Sequence, residues 1–230
     1  MENGPPPYST QCLKRDGRRC VWRVDAPGRP PSVMKVWPLQ VGLVLKMLLG
    51  LAQPQRLRRD AELLLAAGLP TPPVDRRWTI GRDNDGRVLG LTMPWIPGVS
   101  GLEALKRSAD PSMLPRVREA ATQAGSIVAA HAGAGVVNRD LKLTNLIVDG
   151  LDGGTTAAVH VSVIDPDLRR ARSRPAAIAR MLERLNIEPA DFGVSVPWSI
   201  RRAAVRAATC DRGRADRRAV LRLLRSRRPR

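Results

Sequence analysis

A polar segment between two short apolar runs carries residue types suited to phosphoryl transfer. Asp140, Lys142 and Asn145 lie close together in the sequence, and a further apolar run ends at Asp165. In phosphoryl transfer a carboxylate orients the attacking hydroxyl and accepts its proton, while a cation lies near the transferred phosphate. Carboxylate and amide oxygens also bind Mg²⁺. Residues 136–148 are therefore predicted to form a catalytic loop.

Another apolar run contains a lysine in its middle. Val33–Trp37 has the composition of a strand, and Lys35 lies inside it. Burying an unpaired ammonium group is costly, so a lysine at this position is expected to have a defined partner. Residues 38–69 are predicted to be helical with an interruption near 50–54, since Leu57, Ala61, Leu64 and Leu65 share one face.

The remaining pattern predicts two strands before residue 98 and, after it, helices interspersed with three short strands. Strands are predicted at 77–80, 88–93, 136–137, 146–148 and 160–164. Helices are predicted at 102–106, from 110 to about 132 with Asp110 as cap and Pro111 in first position, at 175–185 and at 197–225. The predicted organisation is a disordered tail (1–7), a β-rich lobe (8–97) and a helical lobe (98–230) with basic C-terminal helices.

Composition narrows the class of protein without identifying its chemistry. The chain has 230 residues, 43% of them hydrophobic, which is typical of a globular protein. Its formal net charge is +18, which favours anionic partners such as phosphorylated sugars, nucleotides or an acidic membrane surface; nucleic acid is a less favoured partner. A GC-rich genome would also explain the strong use of arginine, without selection for binding an anion. The three cysteines lack metal-ligand spacing, so a cytoplasmic location is expected, with the inner membrane face as an open alternative.

The polar segment resembles the catalytic loop of protein kinases. Asn138–Asn145 reads NRDLKLTN, close to the kinase pattern H-R-D-L-x-x-x-N, and Val163-Ile164-Asp165 matches the strand that ends in a metal-binding aspartate. The resemblance implies that Asp140 and Lys142 are catalytic and that Asn145 and Asp165 bind Mg²⁺. It also implies a two-lobed α+β kinase-like fold that uses ATP.

Upstream segments extend the resemblance over residues 8 to 170. The segment VMKV at 33–36 resembles the strand whose lysine contacts the ATP phosphates, which assigns Lys35. The following helix would supply its glutamate partner, Glu62, with Asp60 as the competing carboxylate. The segment LTMPWIPG at 91–98 resembles the hinge that contacts adenine through backbone groups, which places Met93 and Trp95 at the nucleotide.

Two further segments resemble small bacterial kinases. AAGLPTP at 66–72 and IDPDLRR at 164–170 are similar to stretches of the lipopolysaccharide kinase (Kdo/WaaP) family. That family phosphorylates inner-core sugars of lipopolysaccharide, so the resemblance implies an anionic sugar or glycolipid acceptor. The short chain after Asp165 agrees with a trimmed helical lobe.

Departures from the kinase pattern keep two alternatives open. Asn138 stands in place of the loop histidine, Pro166 and Asp167 follow Asp165 in place of Phe and Gly, and no glycine-rich loop precedes Lys35. One alternative is a kinase for protein Ser/Thr. The other is a non-catalytic pseudokinase or polyanion-binding module.

Overall fold

A computed structural model describes residues 9–17, 19–83, 86–152 and 158–226. The predicted N-terminal tail, 1–7, lies outside the described residues. The chain divides into two compact units. Unit 1 contains the described residues up to Leu65 together with Pro72–Trp95, and unit 2 contains Ala66–Thr71 together with the described residues from Ile96 onward.

Unit 1 is built on an antiparallel sheet of five strands in the order β1-β2-β3-β5-β4. The strands are β1 (Ser9–Asp16), β2 (Arg19–Asp25), β3 (Ser32–Pro38), β4 (Thr79–Asp83) and β5 (Gly86–Pro94). Strand β3 is central, and its Lys35 is in register with Val21 on one side and Leu91 on the other. The sequence therefore forms the predicted strand around this lysine.

Two helices follow β3, as the interrupted helical pattern predicts. They are α1 (Val41–Leu48) and α2 (Gln53–Ala66). Helix α2 buries Leu57, Ala61 and Leu64, which are spaced so that they share one face. The prediction was wrong for Leu65, which is 40% exposed. Leu57 and Ala61 belong to the core cluster of unit 1, together with Trp37, Val74, Leu91 and Met93.

Unit 2 contains helices packed around a long central one. The helices are α3 (Gly101–Lys106), α4 (Leu114–Gly133), α5 (Arg174–Asp191), α6 (Trp198–Ala208) and α7 (Arg214–Ser226). Small residues allow a close approach of α4 and α6: a Cβ on Gly125 would lie 2.2 Å from the carbonyl oxygen of Ala204. Within the described ranges, no helix is both long and apolar enough to cross a membrane.

Short strands in unit 2 frame the predicted catalytic loop. Strand β7 (Val136–Asn138) pairs with β10 (Leu168–Arg170), and β8 (Leu146–Asp149) lies between β6 (Val99–Ser100) and β9 (His160–Val163). Both pairings of β8 are antiparallel, as is that of β7. The loop therefore begins after the two-stranded sheet, at Asn138, and ends where the three-stranded sheet begins, at Leu146.

Three helix predictions were wrong in their bounds. Helix α4 begins at Leu114, because Asp110 instead accepts hydrogen bonds from the backbone N–H and hydroxyl of Ser112, which form a turn. The predicted helix 197–225 is two helices, and Arg217 of the second donates to the carbonyls of Thr209 and Cys210 that end the first. Helix α5 extends beyond residue 185, and its added turns carry Glu188.

Candidate active site in unit 2

Asp140 and Asn145 lie in direct contact inside the loop. The Nδ2 atom of Asn145 donates to Oδ2 of Asp140 at 2.8 Å and to the Asp140 backbone carbonyl at 2.9 Å. A single 3₁₀ turn, Leu143–Asn145, shortens the path between them. Asn145 is 8% exposed, and the Asp140 side chain is 38% exposed. The amide thus fixes a carboxylate that remains open to solvent.

Two cationic side chains converge on the same carboxylate. Lys142 Nζ lies 3.3 Å from Oδ1 of Asp140, and Arg184 Nη2 of helix α5 lies 3.9 Å from it. Oδ2 is engaged by Asn145, so the two oxygens of Asp140 have different environments. Positive charge beside Asp140 is suited to neutralising a phosphate or another anion that approaches it.

Asn138 organises the start of the loop, a role that sequence reasoning did not assign. Its side-chain oxygen accepts from the backbone N–H of Asp140 at 3.1 Å and from that of Asp167 at 3.2 Å. The Arg139 N–H donates to the Asp167 carbonyl at 2.9 Å. Asn138 is 1% exposed and lies where the kinase pattern has histidine. The residue that departs from the pattern therefore ties the loop to the segment after Asp165.

Asp165 has a backbone conformation that is rare for its residue type. Its φ is +56°, a positive value found at no other non-glycine residue of the described chain. Such a conformation costs about 1–3 kcal/mol and persists where surrounding structure imposes it, often at a functional site. It lies one residue after the end of β9, so it turns the chain just beyond the strand.

The register of β8 and β9 brings Asn145 and Asp165 to one end of the same sheet. Leu146 is paired with Val163, and the Ile164 N–H donates to the Asn145 carbonyl at 2.9 Å. Asn145 precedes β8 and Asp165 follows β9 by one intervening residue. Antiparallel pairing therefore places both predicted metal ligands in one region.

The segment 66–71 is hydrogen-bonded to Val163, the last residue of β9. The Val163 N–H donates to the Pro70 carbonyl at 2.7 Å, and the Thr71 hydroxyl donates to the Val163 carbonyl at 2.8 Å. Thr71 and Val163 are buried. This segment, identified in the sequence by its similarity to small bacterial kinases, thus fixes the strand that carries Asp165.

Helix α5 supports the loop from a second direction. Glu188 accepts from Thr144 twice, from the backbone N–H at 3.0 Å and from the hydroxyl at 2.6 Å. Arg184 lies one turn earlier on the same face, at i–4, and approaches Asp140. Their four-residue spacing on a helix was the available sequence signal, and sequence reasoning missed both residues.

The available donors fit a magnesium ion whose shell is completed by phosphates. Asn145 uses its Nδ2 within the loop, so its side-chain oxygen could coordinate a metal ion, and the Asp165 carboxylate could provide a second ligand. Mg²⁺ typically binds one or two carboxylates together with substrate phosphates and water. Among the described residues, no group of three or more His, Cys, Asp or Glu side chains lies together in a way that could hold a metal ion.

The residues predicted to bind nucleotide phosphates lie in unit 1. Lys35 is 7% exposed on β3. On α2, Glu62 is half exposed and forms an ion pair with Arg76 at 3.8 Å. Asp60 is 1% exposed, lies on the buried face and forms an ion pair with Arg59 at 3.1 Å. Between the two carboxylates that the sequence left in competition, Asp60 is therefore the buried one.

The predicted hinge residues are partly engaged within unit 1. Met93 is buried in the core cluster and paired in register with Val33. The Trp95 N–H donates to the Pro31 carbonyl at 3.0 Å, and the Arg23 guanidinium lies 4.8 Å from the centre of the Trp95 ring. The Trp95 N–H is thus already satisfied and is not the expected donor to adenine.

An apolar cavity of about 610 Å³ lies within unit 2. Leu143 and Leu146 from the catalytic-loop region form part of its wall. Apolar residues of the helices and their connections complete it, including Leu182, Val196, Ile200 and Leu224. Four arginines also line it: Arg201, Arg202, Arg206 and Arg225. The cavity combines an apolar interior with several cations.

Comparison with known proteins establishes the fold. WaaP, solved in complex with acyl carrier protein, matches with a TM-score of 0.60 at 17% identity, over 95% of this chain and 86% of the WaaP chain. The PknI kinase domain of Mycobacterium tuberculosis also matches, with a TM-score of 0.44 at 18% identity, over 95% of this chain and 96% of that chain. No protein-family model matches the sequence, and no curated protein matches it either. The chain has a protein-kinase-like α+β fold, and the fold prediction is confirmed.

Proposed function

We propose that this chain is a phosphotransferase that moves the γ-phosphate of ATP to a hydroxyl group. The observation that carries the proposal is the hydrogen bond between Asn145 and Asp140 in the loop. The strand that follows this loop pairs with β9, and Asp165, whose backbone is left-handed, lies just after β9. A surface loop without a catalytic role would not require a buried amide side chain to orient an exposed carboxylate. Phosphoryl transfer needs that carboxylate and two oxygen ligands for a metal ion.

In the proposed reaction Asp140 orients the acceptor hydroxyl and accepts its proton. A bond forms between the acceptor oxygen and the γ-phosphorus, the bond from that phosphorus to the β,γ-bridging oxygen breaks, and ADP leaves. Asn145 and Asp165 hold Mg²⁺, which supplies charge neutralisation for the phosphates when bound. Lys142 lies beside Asp140 and stabilises negative charge on the transferred group.

Residues of unit 1 are proposed to bind the nucleotide. Lys35 lies on the central strand of the sheet and contributes a cation for the phosphates. Asp60 is the preferred carboxylate on α2 to hold this lysine in position, since it is buried where Glu62 is half exposed. The segment around Met93 and Trp95 is proposed to bind adenine through backbone groups other than the Trp95 N–H.

The proposed acceptor is an anionic sugar carried on a lipid, of the lipopolysaccharide type. The cavity supports this choice because Leu143 and Leu146 of the loop region form part of an apolar wall, as a lipid chain requires. Arginines at the cavity and Arg184 beside Asp140 suit anionic groups on the sugar. A protein hydroxyl as acceptor is the alternative that a substrate panel tests.

The experiment compares phosphate transfer by the wild type, Asp140→Asn and Asp191→Asn. Asp191 is an exposed aspartate at the end of α5, so the control makes the same chemical change away from the loop. Labelled ATP and Mg²⁺ are offered with acylated inner-core sugars, the same sugars after deacylation, and protein substrates. We expect turnover on acylated sugars, a loss of about 10²–10⁴-fold in Asp140→Asn, and wild-type turnover in Asp191→Asn.

Nucleotide binding separates a catalytic defect from a folding defect. Asp140→Asn is expected to keep the thermal shift that ATP and Mg²⁺ produce, because its change is confined to the acceptor side. Full turnover in Asp140→Asn would contradict the role of Asp140. Absence of both turnover and a nucleotide shift in the wild type would favour a polyanion-binding module instead.

A further inference from the structure

Helix α1 presents an apolar stripe to solvent. Val41, Val44, Leu45 and Leu48 recur at i, i+3, i+4 and i+7, so they form a stripe about 100° wide on one side of the helix. Their exposed fractions are 86%, 43%, 57% and 81%, respectively. In a globular protein a stripe with this spacing normally faces the core.

The helix that carries the stripe is anchored on its opposite side. Leu43 packs against the core cluster of unit 1. The Met47 carbonyl accepts from the Gln55 side chain at 2.9 Å, which connects α1 to α2. Leu49 and Leu51, which follow the helix, are 63% and 62% exposed and extend the apolar area. We define the α1 surface as Val41, Val44, Leu45, Leu48, Leu49 and Leu51.

The charged residues of α1, and those of α2 before Asp60, are all basic. No acidic residue occurs between Lys35 and Asp60, whereas that interval contains four basic residues: Lys46, Arg56, Arg58 and Arg59. Lys46 is exposed within α1 itself, and Arg59 is exposed on α2. The whole chain carries a formal charge of +18. An anionic surface therefore complements this part of the molecule.

We propose that the α1 surface inserts into the interface of an anionic lipid bilayer. Exposed aliphatic side chains flanked by lysine and arginine, without acidic residues, are typical of segments that lie in the membrane interface. Sites that bind proteins concentrate Trp, Tyr and Arg in their centre, with Leu and Val under-represented. A second copy of this chain would bring like charges together around the same apolar area. This proposal does not depend on the proposed reaction.

The first test is flotation of the full chain with phosphatidylcholine vesicles, prepared with and without phosphatidylserine. The wild type is expected to float with the anionic vesicles and to be released by high salt, because the basic residues contribute electrostatically. The variant Val44→Ser/Leu48→Ser is expected to bind at least about tenfold more weakly, since it removes apolar side chains that the wild type would bury in the bilayer. The variant Lys46→Glu is expected to weaken binding to anionic vesicles.

A matched control removes exposed apolar residues elsewhere. Ile80 on β4 and Phe192 after α5 are 57% and 59% exposed. Ile80→Ser/Phe192→Ser is expected to bind vesicles as the wild type does. Thermal unfolding of each variant verifies folding, and all substituted side chains are accessible to solvent.

A spectroscopic measurement locates the contact without relying on loss of binding. Leu48→Cys, labelled with an environment-sensitive fluorophore after the three native cysteines are replaced by serine, is expected to shift to the blue on anionic vesicles. The same label at Ile80→Cys is expected to stay unshifted. The proposal is overturned if the wild type does not bind anionic vesicles, or if the α1 variant binds as tightly as the wild type. It is equally overturned if light scattering shows a dimer that the α1 variant dissociates.

Discussion

The carboxamide of Asn145 lies 2.8 Å from Oδ2 of Asp140 and also donates to the backbone of the same residue. The Asn145 side chain thus orients the Asp140 carboxylate and links the two ends of the segment between these residues. Because Asn145 donates both hydrogen bonds from Nδ2, its side-chain oxygen Oδ1 is left available to a metal ion. Orientation of the proposed base and binding of the proposed metal therefore depend on one residue.

Replacing Asn145 by alanine should impair both roles together. The loss of a hydrogen bond to a charged group costs about 1.5–3 kcal/mol, so kcat should fall by roughly 10–150-fold before any effect on Mg²⁺ is counted. The Mg²⁺ concentration for half-maximal rate should rise as well. Steady-state kinetics over a Mg²⁺ titration measures both, with Gln11→Ala, which removes an exposed carboxamide on the edge strand β1, as control. A drop in kcat at unchanged Mg²⁺ dependence would remove Asn145 from the metal site.

Sequence reasoning proposed Asp140, Asn145 and Asp165 for the candidate site because they are close in the chain or come just after an apolar run. The structure brings Asp140 and Asn145 into contact and places Asp165 near the same end of the β8–β9 pair. Arg184 and Glu188 reach the loop only because α5 packs beside it, and nothing in the local sequence specifies that packing.

Two features of unit 1 follow from tertiary contacts rather than from local sequence. Helical spacing alone places both Asp60 and Glu62 on α2, and only the packed structure shows which one is buried. The Trp95 N–H donates to the carbonyl of Pro31, a residue distant in the chain, so the sequence did not show that this backbone group of the predicted hinge is already engaged. Tertiary contacts of this kind are not encoded in the spacing of neighbouring residues.

Glu188 should act as a positioning residue. Glu188→Ala removes both hydrogen bonds to Thr144, and we expect kcat to fall about tenfold, since loss of loop order displaces Asp140. Glu188→Gln keeps a carbonyl acceptor and should restore part of the rate. Glu119→Ala on the exposed side of α4 is the control. Equal rates for Glu188→Ala and Glu188→Gln would show that the contact does not position the loop.

Two glycines of α4 should respond oppositely to alanine. A Cβ at Gly125 would lie 2.2 Å from the Ala204 carbonyl oxygen, so α4 and α6 must separate, at a cost of about 1–3 kcal/mol. A Cβ at Gly133 meets no atom within 4 Å, and alanine there should be neutral or stabilising by up to about 1 kcal/mol. Urea denaturation of both variants measures the difference. A Gly125→Ala protein as stable as the wild type would refute the close helix contact.

Stability should fall below neutral pH because of His131. This side chain is fully buried in α4, and burial lowers its pKa despite the contact between Nδ1 and the Ile127 carbonyl at 2.8 Å. The unfolded chain takes up a proton at His131 near pH 6.5, whereas the folded chain does so only at lower pH. Stability from this site is therefore complete above about pH 6.5 and decreases as the pH falls through the interval between the two pKa values.

The measurement is the free energy of unfolding at pH 7.5 and pH 5.5. We expect a loss on the order of 1 kcal/mol in the wild type, and a smaller loss in His131→Leu, which has no proton to take up. His160→Gln, which changes an exposed histidine, should keep the wild-type slope. The lowered pKa of Asp110, caused by its hydrogen bonds from Ser112, places its titration below this range, so it does not contribute. If His131→Leu and the wild type lost equal stability over this interval, protonation of another group would have to explain the slope.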